Sequence, residues 1–507
     1  MGRTPRFVTK LAYRIAREDG IALVMSLSMM TVLGIVGATT VLYSTQNAGA
    51  ASRSRQDGVS YALAEAGVNN AAAALGATGV NPLNAGALPQ RTTEYDGGSV
   101  TWWGTLNEGT GVWTFTSVGR TRNPTGRGAA DVTRTVTAQA QVLPAPAQPL
   151  SNPAWNYIYA RQKGLTCDMT LSNSVQVTSP LYVNGNLCLQ NTASIAKGPL
   201  VVNGRLTMTQ TANAAGSAAA PLSEAHIAGG CKWTSGLLHT PCLTGAGTSG
   251  ADNVWATRID GVAQTITPPT PAFDYWYQNA NPGPFNPCRI AGGTPPVFDN
   301  DTAGIAPDGT KRNNSLNTAG AIDLTPPTSY TCKTAIGELS WNASTRVLTI
   351  AGTVFIDGSA KVGNGSVNSY TGMGTLYLSG TLSIKSAKLC AVVTGDGSGC
   401  TTDGWDPNQK MLVVVANGNG SAGGAAAQVL AGDSVQLVSS HFQGAVYGTW
   451  AIDLDTTSKI DGPLDGSTLK LGNSSSSSFP SISFVPVGTP GITPVLPRLG
   501  PVSGFSG

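Results

Sequence analysis

Two histidines and two cysteines near the middle of the chain are of the types that bind zinc. His226, Cys231, His239 and Cys242 occur within one short stretch, and imidazole and thiolate are common ligands of tetrahedral zinc sites. Their spacing is not that of a known zinc-binding family. In an oxidising compartment, a disulfide between Cys231 and Cys242 explains the two cysteines more simply. The sequence therefore favours the disulfide and predicts neither a metal nor a cofactor.

Four aspartates in the last part of the chain could also do chemistry: Asp453, Asp455, Asp461 and Asp465. Carboxylates on the face of a parallel β-helix can bind calcium or cleave glycosidic bonds, but turns also collect aspartate. The aspartates of residues 396–406 do not have EF-hand spacing. Because the chain has only three histidines and no visible substrate groove, the sequence favours a protein that is not an enzyme. A membrane-anchored, glycan-active β-helix enzyme is the alternative.

The chain contains eight cysteines, and all of them lie in the part that is predicted below to face outward. An even number of cysteines outside the cytoplasm favours disulfide bonds. Several connectivities are possible, and the simplest pairs each cysteine with its neighbour in sequence. These pairs are Cys167 with Cys188, Cys231 with Cys242, Cys288 with Cys332, and Cys390 with Cys400.

The element that positions everything else is a long helix near the N-terminus. No charged residue occurs between Asp19 and Arg53. Residues 21–45 are almost entirely apolar and would form about 37 Å of helix, against a hydrocarbon core of roughly 30 Å. Residues 52–75 keep helix-forming side chains with apolar positions at helical spacing. The sequence therefore predicts a transmembrane span at 21–45 within a helix that continues to residue 75.

The charges that flank the span predict its orientation. Five basic residues precede it, and the next positive charges are Arg53 and Arg55, so residues 1–20 should remain in the cytoplasm and the rest should face outward. A cleaved secretory signal peptide is the competing interpretation, but its apolar part would be shorter and would end at a small-residue cleavage site. The predicted location is the cytoplasmic membrane. The basic residues of the leader are Arg3, Arg6, Lys10, Arg14 and Arg17.

The basic leader ends in Gly20, the apolar helix starts Ile21-Ala22-Leu23-Val24, and the segment 62–67 reads ALAEAG and contains Glu65. Over about residues 17–75 these features resemble the N-terminal region of PilX-type minor pilins of type IV pili. The resemblance implies that a prepilin peptidase cuts after Gly20 and leaves Ile21 as the N-terminus. It also implies that the helix, with Leu23 and Glu65, packs among other pilins in a filament at the cell surface.

The fifth mature position of the implied pilin helix is Met25. Major pilins carry a glutamate there, whereas PilX-type proteins and the K-type pseudopilins of type II secretion resemble this chain in lacking it. The missing glutamate changes how the subunit would dock against its neighbours in a filament.

Composition describes the remainder of the chain. Of 507 residues, 63 are glycine and only 11% are charged, against about 25% charged residues in typical soluble domains. This balance favours many short strands and turns. Without residues 1–20, which hold five basic and two acidic residues, the formal charge falls from +3 to zero. No basic stripe with interleaved aromatic residues is present, so no nucleic-acid partner is expected.

Alternating strand patterns after the helix predict a small antiparallel β head over residues 76–143. The three strand-like runs are 99–103, 112–118 and 132–142. Residues 144–155 begin with a proline-rich stretch and are predicted to be a linker.

Residues 180–189 (PLYVNGNLCL) return as 199–208 (PLVVNGRLTM) after a shift of 19 positions. Two hairpins with Asn-Gly turns are one interpretation, and successive coils of a parallel β-helix are the other. We favour the β-helix over a sandwich for residues 156–487. Residues 212–335 lack this rhythm and are predicted to be an insertion held by disulfides, and residues 488–507 a proline- and glycine-rich tail. The predicted fold class is α+β.

Together these features predict a minor pilin-like, membrane-anchored structural component of a type IV pilus-like filament. It would be present in few copies near the tip and would act in assembly or adhesion. Expected partners are other pilins, the pilus assembly machinery, the prepilin peptidase and the membrane. Besides the anchored enzyme, the alternative is a surface adhesin that does not enter a filament.

Overall fold

The computed structural model describes residues 7–507, with side chains from residue 21 onward. Segments outside the description are 79, 108–109, 125–128, 234–235, 246–250, 281–288, 291–320, 334–335, 357–358, 364–365, 419–432 and 473–475, and the side chains of 278, 289–290, 333 and 476–478. The description begins with one helix, α1 (Phe7–Leu75), of 69 residues. It contains a stretch that is long and apolar enough to cross a membrane. A long apolar N-terminal helix that continues beyond the span is thereby confirmed.

The outer half of α1 packs on an antiparallel sheet of five strands. These are β1 (Arg91–Tyr95), β2 (Gly98–Asn107), β3 (Val112–Thr121), β4 (Val132–Leu143) and β39 (Arg498–Ser506), in the order β1-β2-β3-β4-β39. A short 3-10 helix (Ala85–Ala87) lies between α1 and β1. The term head sheet is used below for these five strands.

The C-terminal strand corrects one expectation. The sequence predicted a tail at 488–507, whereas β39 pairs with β4 and places Leu499 and Val502 against the head core. Pro501, two glycines and two register irregularities interrupt the alternation that normally marks a strand. Residues 498–506 are extended because they pair with β4, and not because their own sequence favours a strand.

Helix α1 approaches the head sheet very closely because glycines occupy the contact. The shared core contains Leu63 and Val68 of α1 with Trp113 and Phe115 of β3. A Cβ atom added at Gly119 of β3 would lie 2.0 Å from the backbone oxygen of Ser60. No side chain fits there unless the helix moves away.

The region between β4 and β39 is called the outer region, and its described residues form mainly short strands. The first group is β5 (Gln148–Pro149), β6 (Ile158–Ala160), β7 (Met169–Leu171), β8 (Gln176–Val177), β9 (Leu181–Val183), β10 (Leu187–Leu189), β11 (Ser194–Ile195), β12 (Leu200–Val202), β13 (Leu206–Met208), β14 (Ala214–Ala215), β15 (Ala225–Ile227), β16 (Cys231–Trp233), β17 (Leu238–His239), β18 (Ile259–Asp260) and β19 (Arg289–Ile290). A 3-10 helix (Pro153–Asn156) precedes β6, and helix α2 (Phe273–Ala280) precedes β19.

The second group completes the outer region. It contains β20 (Ile322–Asp323), β21 (Tyr330–Lys333), β22 (Gly337–Asn342), β23 (Val347–Ile356), β24 (Ala360–Val362), β25 (Val367–Thr371), β26 (Met373–Leu378), β27 (Leu382–Lys385), β28 (Lys388–Cys390), β29 (Met411–Ala416), β30 (Asp433–Val438), β31 (His441–Gln443), β32 (Ala445–Gly448), β33 (Ala451–Asp455), β34 (Lys459–Asp461), β35 (Leu464–Gly466), β36 (Leu469–Leu471), β37 (Ser476–Ser478) and β38 (Phe484–Val485).

Most of these strands form two mainly parallel sheets. Among the described strands, eleven form one sheet in the order β17-β16-β13-β10-β7-β36-β33-β30-β27-β24-β20, and 21 form the other. Leucine, isoleucine and valine side chains from both sheets meet in one continuous buried core. The 3-residue strands are too short to bury an apolar face alone, so each depends on the strands stacked above and below it.

The 19-residue repeat is a parallel stack and not a pair of hairpins. Leu181 of β9 faces Leu200 of β12, and Leu187 of β10 faces Leu206 of β13. The Asn-Gly turn between β9 and β10 joins strands of different sheets. The hairpin interpretation is therefore wrong for this segment.

The parallel ladders continue into the predicted insertion. Strands β14, β15 and β16 pair in parallel with β11, β12 and β13, and β18 pairs with β15. The repeat is hard to recognise in this part of the sequence because the turns are longer: β14 and β15, for example, are further apart in sequence than β11 and β12. Much of residues 281–320 lies outside the described residues.

The chain enters the stack of parallel strands in the middle of the stack. Strand β6 lies between β9 and β35, β7 lies between β10 and β36, and β8 lies between β11 and β37. Since β35, β36 and β37 are the last strands of the stack in sequence, the first and last strands of the stack are direct neighbours.

Three of the neighbouring cysteine pairs are bonded in the structure: Cys167–Cys188, Cys231–Cys242 and Cys390–Cys400. Cys332 is also disulfide-bonded, and Cys288 lies outside the described residues. Each described bridge closes a loop beside the parallel stack, which agrees with the expected role of pinning loops.

Stacking at one corner of the outer region depends on glycine, and the variant Gly204→Ala is expected to lower the free energy of unfolding by about 1–3 kcal/mol. The added Cβ would lie 2.5 Å from the backbone oxygen of Gly185, one layer away. Denaturant unfolding of the full chain in detergent measures the change. Gly395→Ala is the matched control, since no atom lies within 4 Å of its added Cβ. Equal stabilities for the two variants would contradict the close stacking at this corner.

Candidate functional site

The candidate functional surface is the first half of α1. Its apolar side chains are exposed along the whole span, with Ile21 57%, Leu23 69% and Met25 69% exposed. Soluble proteins rarely expose a continuous apolar surface of this size. The surface therefore requires a bilayer or other apolar helices around it.

Most hydroxyl side chains within the span are satisfied by the helix itself. Hydroxyl groups donate hydrogen bonds to carbonyl oxygens three or four residues earlier, as Ser26 does to Leu23 and Thr31 to Leu27. Such bonds remove the cost of placing a hydroxyl in an apolar medium. The other residues bonded in this way are Ser28, Thr39, Thr40 and Thr45.

The predicted cleavage position lies inside α1. Gly20 and Ile21 have helical backbone and no break separates them from the rest of the helix. Cleavage after Gly20 stays a prediction. Glu65 lies much further along α1, where it is half-buried beside the head sheet. The structure therefore does not bring Glu65 together with Met25.

A salt bridge joins the beginning of strand β4 in the head sheet to α1. The guanidinium of Arg134 in β4 donates two hydrogen bonds of 2.6 Å to the carboxylate of Asp57. The hydrogen bond from Arg134 lowers the pKa of Asp57 below its ordinary value. Thr121 at the end of β3 adds a hydrogen bond of 3.2 Å to the backbone oxygen of Gln56. These contacts orient the head on the part of α1 that leaves the span.

The four residues of the candidate zinc site serve other purposes. Cys231 and Cys242 are joined by a disulfide, so neither thiol can bind zinc. His239 Nδ1 lies 2.9 Å from Oδ1 of the buried Asp252. His226 lies in another strand and contacts two different carboxylates.

His226 is nearly buried at the end of the parallel stack. Its Nδ1 lies 2.7 Å from Asp260 Oδ1, and its Nε2 lies 2.9 Å from Glu224 Oε2. Burial acts to lower the pKa of His226, but the hydrogen bonds with Asp260 and Glu224 outweigh it and raise the pKa above the ordinary value. The imidazolium therefore holds two carboxylates together.

The raised pKa of His226 gives a pH dependence of stability. Protonation stabilises the folded chain fully below the unfolded pKa of about 6.5, and this contribution is lost as the pH rises through the higher folded pKa. We expect the wild-type melting temperature, relative to that of His226→Gln, to fall as the pH is raised from 5.5 to 8.5. Thermal unfolding of both proteins at several pH values measures it. A difference that does not depend on pH would contradict the paired imidazolium.

Two of the four candidate catalytic aspartates are buried in ion pairs. Asp461 Oδ2 lies 2.7 Å from His441 Nε2, and its Oδ1 lies 3.2 Å from Lys459 Nζ. Burial acts to raise the pKa of Asp461, but His441 and Lys459 outweigh burial and lower it. The remaining two, Asp453 and Asp455, lie at half-buried positions on β33.

Asp465 forms the other buried pair, and sequence analysis missed its partner. Arg161 Nε lies 2.6 Å from Asp465 Oδ1, and Arg161 also donates a hydrogen bond of 2.8 Å to the hydroxyl of Tyr447. Burial acts to raise the pKa of Asp465, whereas the Arg161 guanidinium acts to lower it. This cluster lies where β6 meets β35, so it joins the first strand of the parallel stack to a strand near the end of the stack in sequence. No local sequence signal marks Arg161.

The aspartates of residues 396–406 are turn residues. Asp396 Oδ1 accepts hydrogen bonds from the Thr394 hydroxyl and from the backbone and side chain of Ser398. The Thr394 hydrogen bond is the largest cause that lowers the pKa of Asp396 to about 2. Asp406 accepts a hydrogen bond from the backbone N–H of Asn408. Turn formation accounts for both carboxylates.

Comparisons with known proteins find similarity among solved structures. No protein-family model matches the chain, and no curated protein sequence matches it. Among solved structures, the chain is similar to the competence-associated pilin ComZ from Thermus thermophilus, with 11% identity and a TM-score of 0.35. The alignment covers 82% of this chain and 86% of that chain.

Proposed function

We propose that this chain is a minor pilin-like, PilX-type subunit of a type IV pilus-like filament, anchored in the cytoplasmic membrane before assembly. The division of α1 into two halves carries the proposal. Residues 21–43 expose apolar side chains all around the helix, whereas Leu63, Val68 and Leu75 are buried against the head sheet. A helix of this kind can leave the bilayer for an apolar filament core without unfolding its head.

Position 25 supports placement at the tip. A carboxylate at the fifth mature position would pair with the N-terminal amine of a neighbouring subunit and so compensate two charges that are costly in an apolar core. The exposed thioether of Met25 cannot do this. A subunit without the carboxylate suits the first position in a filament, where it has no preceding subunit to dock against.

The outer region supports the same placement through its size. It extends from β5 to β38, and one copy at every helical step of a filament would collide with the next. We further infer that the stacked strands close into a β-solenoid, because strand after strand repeats the same order of parallel partners. Such a module would project from the filament as a stiff adhesive or priming unit.

The proposed role is structural and not enzymatic. The prepilin peptidase, other pilins and the assembly machinery are the proposed partners. The equal numbers of acidic and basic residues after position 20 support the absence of a nucleic-acid partner. Two of the candidate catalytic carboxylates are held in buried ion pairs, which supports a structural role for them.

Gold labelling of an epitope on the outer region tests the placement. We expect one cluster of label at an end of each filament, because few copies can be accommodated and Met25 suits the first position. A strain that lacks the gene, complemented with the tagged chain, provides the material, and the untagged chain is the control. Label spread evenly along filament shafts would contradict the tip position. Label found only on the cell envelope would favour an anchored adhesin that does not enter the filament.

A further inference from the structure

The hairpin of β16 and β17 presents three leucines to solvent. Leu237 is 80% exposed, Leu238 46% and Leu243 40%. They belong to residues 236–245, which are called the leucine loop below. Single exposed leucines are common on proteins, but three within residues 237–243 concentrate exposed apolar side chains at one place, which suits contact with a partner or a membrane.

The leucine loop has a rigid frame. Cys231 faces His239 across the antiparallel hairpin, and a disulfide joins Cys231 to Cys242. The fully buried carboxylate of Asp252 accepts a hydrogen bond of 2.7 Å from the backbone N–H of Leu243 and lies 2.9 Å from His239 Nδ1. The leucines are therefore presented on a fixed surface, at little further cost in conformational entropy when they bind.

The stretch of sequence that contains the leucine loop has no acidic residue. No aspartate or glutamate occurs from Cys231 to Gly250, whereas Lys232, which faces Leu238 across the hairpin, is basic. The nearby Asp252 is buried and paired with His239, so it offers no negative charge to a partner. Trp233, at the turn end of β16, packs against the buried core of the stack. Exposed leucines beside a lysine, in a stretch without acidic residues, complement an anionic lipid surface.

The leucine loop lies at the end of the stack that is far from the head. Near the head, Leu83 packs in the same cluster as Ile336 and Phe355, which flank the start of the stack at β22 and β23. From β23 the ladder continues through β26, β29, β32, β35, β6, β9, β12 and β15. These eight steps at about 4.8 Å give a separation of roughly 38 Å. Strand β16, which carries the loop, follows β15 directly.

We propose that the leucine loop inserts into the interface of a bilayer that contains anionic phospholipids. Leu237 and Leu238 enter the boundary between headgroups and acyl chains, and Lys232 contacts phosphate groups. This inference deepens the proposed adhesive role by assigning its partner, a lipid surface that faces the projecting module. Insertion itself does not require entry into a filament.

Vesicle capture by the full chain tests the inference. The protein is anchored through α1 in phosphatidylcholine vesicles and mixed with protein-free acceptor vesicles of phosphatidylcholine and phosphatidylglycerol. We expect capture of the acceptors by the wild type and at least a tenfold loss with the double variant Leu237→Asp and Leu238→Asp. Leu165→Asp is the matched control and should retain capture, since Leu165 is 47% exposed outside the loop. Thermal unfolding of each variant confirms that the fold is retained.

Three results would overturn the inference. The first is equal capture by the wild type and the double variant, and the second is equal capture of acceptors that lack phosphatidylglycerol. The third is clustering of the protein-bearing vesicles with one another in the absence of acceptors, which would assign the loop to a second copy of the chain.

Because the assay contains no filament, a chain that captures vesicles but is absent from pili refutes only the filament proposal. A chain at filament tips that fails to capture refutes only the lipid inference.

Discussion

A mature protein that begins at Ile21 is the expected product when this chain is made together with a prepilin peptidase. The leader carries five basic residues, which hold it on the cytoplasmic side of the membrane. The cut after Gly20 then falls where the charged leader meets the apolar span. Gly20→Val should leave the leader attached, because a branched side chain would occupy the position at which the peptidase requires a glycine.

Intact-mass measurement of the purified protein, with N-terminal sequencing, shows the product. Gly34→Val is the matched control, since Gly34 also lies in the exposed part of α1 and no atom is within 4 Å of its added Cβ. This variant should be cleaved as completely as the wild type. A wild-type chain that keeps its leader, while a known pilin is processed in the same cells, would remove the main support for the pilin proposal.

Gly119→Ala is expected to separate α1 from the head sheet. The added Cβ would lie 2.0 Å from the Ser60 backbone oxygen and 2.8 Å from the Ala64 backbone nitrogen. A helix backbone cannot yield locally as a side chain does, so the whole contact between helix and sheet must open. We expect a loss of about 3 kcal/mol in the free energy of unfolding of the head, at the upper end of the range for overpacking.

Hydrogen exchange of residues 60–75 in the detergent-solubilised full chain measures this loss, because these amides lie in the docked part of α1. Gly58→Ala provides the control. No atom lies within 4 Å of the Cβ added at Gly58, and alanine favours a helix over glycine by about 0.5–1 kcal/mol. Slower exchange in Gly58→Ala and faster exchange in Gly119→Ala would establish the docking. Unchanged protection in Gly119→Ala would contradict it.

The sequence by itself determined the features that repeat over short distances. The uncharged stretch between Asp19 and Arg53 is long enough that a helix is the only compact way to satisfy its backbone in an apolar medium. The 19-residue offset likewise predicted which strands face each other, since Leu181 and Leu200 occupy the same place in consecutive turns of the chain. Cysteines that are close in sequence, such as Cys390 and Cys400, pair across short loops. In each case the signal lies within a few tens of residues.

Contacts between distant residues left no such signal. Strand β39 completes the head sheet only after the chain has passed through the outer region, and its own sequence lacks a strand pattern. Thr137 of β4 and Ser506 of β39 form a hydrogen bond although they are 369 positions apart. The sequence predicted a tail because an edge strand with proline and glycine can be recognised only from its partner.

The order of the strands in the parallel stack is also visible only in the tertiary structure. The repeat tells which turns resemble one another, but not that the last strands return to lie beside the first. That junction contains the buried pair of Arg161 and Asp465, and Arg161 also bonds Tyr447, which is 286 positions away. A lone arginine after a short strand looks like an ordinary surface residue. Only the tertiary structure shows that the Arg161 guanidinium is largely buried. The cost of burying it is offset by the carboxylate of Asp465, which is far away in sequence.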